Sequence, residues 1–82
     1  LNKKKEIIKI IVSSTDKQHI YEDFIINSNN LIEDLEIDSL HFINLIVGLE
    51  ESFKITIPDE ILVVDTFNTF DKIHSLITQL QS

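Results

Sequence analysis

Gly48 and Pro58 are the only glycine and proline in the 82-residue chain, so little interrupts regular structure, and the period of the apolar residues decides which kind forms. Strict alternation is rare, whereas helical spacing recurs. From Asn2 to about Ser14, Ile7 and Ile11 share a face among lysines, with Ile8, Ile10 and Val12 beside them. From Asp38, a good N-cap, the chain is predicted to be helical through about Phe53, with Phe42, Leu45, Ile46, Leu49 and Phe53 on the core face. A last helix capped by Asn68 or Thr69 runs to about Leu80 on a stripe of Phe70, Ile73, Ile77 and Leu80. A short third helix is expected from about Asp59 to Val64, because Pro58 cannot continue a helix but can begin one. Between the first two long helices the chain reads as a loop to about Asp38. It includes a helical turn around Ile20 to Ile26 and is pinned to the core by Phe24, Leu31, Ile32 and Leu35. The expected fold is all-α: a single-domain four-helix bundle with three longer helices, a short third helix and a long loop after the first.

Charge and composition narrow the function. The net charge is −7, and the stretch from Glu22 to Asp65 carries eleven acids against Lys54 alone. Phosphate backbones require clustered cations, so nucleic acid is excluded as a partner for this surface. Basic protein surfaces complement it, with steering that weakens as salt rises. The absence of Cys removes disulfides, thiolate zinc sites and a cysteine nucleophile, and fits a reducing cytoplasm. No stretch approaches the roughly 18 apolar residues of a membrane span and no secretory leader is visible. A soluble, cytoplasmic monomer is expected, with a natural N-terminus that does not coincide with Leu1.

Geometry eliminates the obvious catalytic readings. Asp38, Ser39 and His41 contain the residue types of a hydrolytic triad, but at one helix start Ser39 and His41 point roughly 200° apart. Asp34, Glu36 and Asp38 have the spacing that opens a calcium loop, yet Ser39 follows where Gly is needed and Leu45 stands where the bidentate Glu belongs. His19, His41 and His74 lie on different elements and read as surface imidazoles rather than metal ligands.

What remains is a serine in the first turn of a helix within Asp34-Leu35-Glu36-Ile37-Asp38-Ser39-Leu40. This segment resembles the acyl and peptidyl carrier proteins, whose attachment site reads D-L-G-x-D-S-L. The likeness continues through Leu49-Glu50-Glu51-Ser52-Phe53, Ile57-Pro58-Asp59-Glu60 and Phe67-Asn68-Thr69-Phe70, covering roughly Leu31 to Ile77. The resemblance implies a non-catalytic carrier on which Ser39 holds phosphopantetheine, transferred from coenzyme A by a separate phosphopantetheinyl transferase, with Asp38 beside it as helix cap. Acyl- or aminoacyl-loading and processing enzymes with basic docking surfaces would be the further partners. A helix start suits a phosphate ester, because its N–H groups and dipole favour an anion.

Leu40, Ile43 and Val47 form a second apolar strip opposite the core face, flanked by Glu50 and Glu51. A four-helix domain of this size cannot cover both sides, so these five residues are the expected docking surface. Glu36 replaces the family's glycine and must accept that turn's backbone or reshape it, while His41 and Asn44 stand where acids are common. Gly48, which costs about 1 kcal/mol against Ala inside a helix, suggests a close approach by a neighbour. The distance from Pro58 to Thr69 is similar to carriers of polyketide and nonribosomal-peptide pathways. Fatty acid synthesis and D-alanyl transfer remain as alternatives, and a cofactor-free helical interaction module or a hydrolase are the readings from other classes.

Overall fold

A computed structural model describes residues 2–81. The described chain is all-helical, as the periodicity requires: α1 (Lys3–Ser13), α2 (Glu22–Asn27), α3 (Leu31–Asp34), α4 (Ser39–Phe53) and α5 (Phe70–Gln81), with single 3-10 turns at Asp59–Ile61 and Val64–Thr66. None of the described helices is long and apolar enough to cross a membrane.

Local chemistry sets the boundaries. Asn2 accepts the Lys5 N–H at 3.2 Å to open α1, Asn30 accepts the Glu33 N–H at 3.1 Å to open α3, and the Thr69 hydroxyl accepts the Lys72 N–H at 3.2 Å ahead of α5. Each satisfies one of the donors that a helix start leaves over. Lys54 ends α4 in the left-handed region at φ 55 and returns its N–H to the Glu50 carbonyl, a geometry more usual for glycine.

The core is one aliphatic cluster closed by Phe67 and Phe70. Ile7, Ile10 and Ile11 of α1 meet Leu45, Ile46 and Leu49 of α4 and Ile73 and Ile77 of α5. Gly48 lies on the α1 side, where an added Cβ would stand 3.0 Å from Ile10 Cγ2. The neighbour that keeps this position small is therefore α1.

Two elements depart from expectation. The segment before α4 is more ordered than a loop, because Ile25, Leu31 and Leu35 are all buried and the Leu31 N–H donates to the Asn68 carbonyl at 2.6 Å. Ile25 is the anchor of α2 at 0% exposure, whereas Phe24, expected in that role, is 47% exposed. A six-residue helix offers one inward position, and the register gives it to the isoleucine. The short third helix breaks into two turns: Val63 is extended at φ −125, ψ 151, separating Asp59–Ile61 from Val64–Thr66. Consecutive β-branched Val63 and Val64 disfavour continued helix, and neither is buried deeply enough to enforce it.

The α1 contact makes Gly48 testable. In Gly48→Ala the propensity gain of about 1 kcal/mol opposes a tight contact, so the urea midpoint should shift little. Gly48→Val should cost about 1–3 kcal/mol through overpacking. Equal midpoints for valine and wild type would show that α1 does not press on this position.

Candidate functional site

The site begins with a turn held at both ends by burial. Leu35 and Ile37 are buried while Glu36 between them is exposed, and Glu36 takes a left-handed backbone at φ 52. The glycine-like turn is thus kept with a side chain on it, and its carboxylate pairs with Lys17 at 2.9 Å. The Ile37 N–H donates to the Ile32 carbonyl at 2.9 Å, tying the turn back to α3.

Asp38 follows as the N-cap of α4, its Oδ1 accepting the His41 N–H at 2.9 Å. That places Ser39 in the first helical turn with its side chain exposed. The same Oδ1 lies 2.7 Å from His41 Nδ1, and His41 Nε2 lies 3.3 Å from Asp16 Oδ2. Both ring nitrogens therefore face carboxylates and neither faces Ser39, which disposes of the triad by contact as well as by angle. The Asp38 carboxyl is held below its ordinary 3.8, first by the backbone N–H of His41 and then by its imidazole, with partial burial opposing. His41 is raised above its ordinary 6.5, first by the hydrogen bond to Asp38 against some desolvation, with the Asp38 and Asp16 charges adding to it.

The expectation of a surface imidazole was incomplete at His41. A capping box carries Glu or Gln at the third helical position, and here a histidine occupies it. That local pattern could have signalled the Asp38 contact, but nothing in the sequence points to Asp16.

Beside Ser39 opens an apolar cleft of about 630 Å³, lined by Ile37, Phe42, Ile43, Ile46, Leu62 and Val64 among others, with Asp38 and Ser39 at its polar edge. Phe42 meets the buried Phe67 edge to face at 5.6 Å between ring centres. The volume falls in the range of small-molecule pockets, roughly 300–1,000 Å³. Sequence reasoning does not locate this cleft, because Leu62 and Val64 reach its wall from a segment read as a continuous third helix.

On the outer side of α4, Leu40, Ile43 and Val47 are 65%, 58% and 44% exposed, and Val63 and Val64 add to the exposed apolar surface. Glu51 is exposed. Glu50 is half-buried, and its Oε2 accepts the Ile57 N–H at 2.8 Å, so this carboxylate braces the chain after α4 as well as contributing charge.

An exposed serine hydroxyl at a helix start, with an apolar cleft alongside, fits a phosphate-linked arm with a greasy cargo. Comparison with known proteins agrees. Residues 21–77 match the family described as the phosphopantetheine attachment site. The chain is 37% identical over 78 residues to acyl carrier proteins of Clostridium perfringens strains SM101, ATCC 13124 and 13, covering 95% of this chain and 92% of each relative. No solved structure matches.

The Asp38 charge can be isolated, because Asn is also a good N-cap. A carboxylate depressed on folding stabilises above its unfolded pKa, about 3.9, and that contribution is lost as the pH falls through the folded value. Wild type should therefore gain stability over Asp38→Asn as the pH rises from about 2 to about 5, read as urea midpoints. A difference independent of pH across that range would remove the charge from the description of the cap.

Proposed function

The chain belongs to the acyl carrier protein family and carries its phosphopantetheine attachment domain, and from that premise we propose that Ser39 is the residue to which the group is esterified. Phosphopantetheine is the covalent cofactor of this family. When bound, it supplies a flexible arm ending in a thiol, which the cysteine-free chain lacks, and that thiol carries the acyl group as a thioester.

The observation that carries the Ser39 reading is the placement of an exposed hydroxyl in the first turn of α4 at the edge of the apolar cleft. The protein's own work is presentation. Asp38 fixes where the helix starts, the Glu36 turn delivers the chain to it, and α4 holds the serine outward. Chemistry on the cargo belongs to partner enzymes. The cleft favours an acyl cargo over an aminoacyl one, since its lining offers apolar side chains beyond the polar edge.

Leu40, Ile43 and Val47 are the proposed docking strip, extended by Val63 and Val64. Covering them gains roughly 25 cal/mol per Å² of apolar area. Glu51, and Glu50 so far as its bond to Ile57 allows, guide the encounter with a basic rim. The length of the stretch from Pro58 to Thr69 is what supports a polyketide- or nonribosomal-peptide-type pathway. Fatty acid synthesis is the alternative, and the two are separated by which pathway's loading enzyme acylates the protein.

Incubation with a broad-specificity phosphopantetheinyl transferase and coenzyme A should raise the intact mass by one phosphopantetheine, and Ser39→Ala should abolish the increase. Modification of the alanine variant, or none of the wild type, would sink the Ser39 assignment. Val47→Asp should slow acyl loading by a partner enzyme while leaving the circular dichroism spectrum unchanged. Normal loading of this variant would place docking on another surface, and an unfolded variant would show the strip to be core.

A further inference from the structure

Three consecutive residues of the loop after α1 each reach the segment that surrounds Ser39. The Thr15 hydroxyl donates to the Leu35 carbonyl at 2.6 Å, Asp16 lies 3.3 Å from His41 Nε2, and Lys17 pairs with Glu36 at 2.9 Å. A single exposed ion pair is worth little, because ordering two side chains costs about as much as the contact returns. Here the outer links share one short backbone stretch with the central one, so that stretch is ordered once for all three.

We propose that His41 is a positioning residue that works as a proton-operated clasp, joining the 15–17 strap to the turn that presents Ser39 when the imidazole is protonated and releasing Asp16 when it is neutral. The mechanism follows from the donors. An imidazolium has two N–H groups and neutral imidazole has one. The nearer partner, Asp38 at 2.7 Å, keeps the remaining proton on Nδ1. Nε2 then turns a lone pair toward the Asp16 carboxylate, and attraction becomes repulsion.

The charged groups around the ring are Asp38 at the start of its own helix, Asp16 and Lys17 from the strap, and Glu36 from the preceding turn. Lys17 and Glu36 occupy one another, which leaves the two aspartates to set the balance. The raised His41 titration agrees in direction. A group raised on folding stabilises fully below its unfolded value and loses that contribution as the pH climbs through the folded one. The clasp is therefore closed at low pH and opens as the pH climbs through the folded His41 value, which lies above 6.5.

The clasp itself does not require Ser39 to be the attachment residue; its effect on loading rests on that reading. A double-mutant cycle of Asp16→Asn and His41→Gln tests both halves at about pH 6 and about pH 8.5, on either side of the histidine range. His19 and His74 are common to all four proteins and cancel. In urea unfolding, a stabilising coupling between the two positions is expected at the lower pH and its loss at the higher. No coupling at the lower pH, or the same coupling at both, overturns the clasp. For kcat/KM of phosphopantetheine transfer, Asp16→Asn should slow loading at the lower pH only, and have no effect at either pH on the His41→Gln background. A pH-dependent coupling in stability without one in loading overturns the positioning role. Ser39→Ala run beside them separates the two ideas: a group still accepted by that variant contradicts the attachment reading and leaves the unfolding cycle to judge the clasp.

Discussion

The burial of Leu45, Ile46 and Leu49 against α1 and α5 fixes how α4 is rotated about its own axis, and the rest of the protein's surface chemistry is set by that rotation. With those residues inward, helical geometry sends Leu40, Ile43 and Val47 outward. The helix could not be turned by one residue without burying polar Asn44 and exposing part of the core. Gly48 belongs to the same constraint, because an added Cβ there would stand 3.0 Å from Ile10 Cγ2 of α1. On the proposed docking through Leu40, Ile43 and Val47, this fixed rotation would give partner enzymes one constant face to meet.

The start of α4 is fixed by electrostatics and hydrogen bonding rather than by apolar area. Asp38 accepts from the backbone N–H and approaches the ring of the same residue, His41, so the cap and the third helical position hold one another. Upstream, Leu35 and Ile37 bury on either side of Glu36 and leave it a left-handed conformation. A side chain in that region costs free energy that glycine would avoid. The pairing of Glu36 with Lys17 offsets part of this cost, and the strap from Thr15 to Lys17 is thereby drawn to the turn.

Much of this was legible in the chain itself. The Asp38 cap, the two faces of α4 and the stripes of α1 and α5 follow from local spacing, and local spacing is what sequence records best. The family was legible through the likeness of the segment from Asp34 to Leu40 to its attachment site. Other features were hidden because non-local contacts decide them. Ile25 rather than Phe24 turns inward because α2 packs on α5. The expected third helix becomes two turns because Val63 extends the chain between them, and Leu62 and Val64 on either side of that break contribute to the cleft wall. The approach of Asp16 to His41 joins positions twenty-five residues apart in the sequence and has no local signature.

Serine occurs at seven positions in this chain, and among the described ones the structure sets Ser39 apart by placing it at the start of α4 beside the cleft. Peptide fragmentation mass spectrometry on the protein purified from its own cell, without added transferase, addresses that distinction most directly. Phosphopantetheine is expected on the fragment ions that contain Ser39 and on none that lack it. The same mass on a fragment bearing any other serine, or a natural protein carrying no such group, would contradict the attachment of a cargo arm at the head of α4.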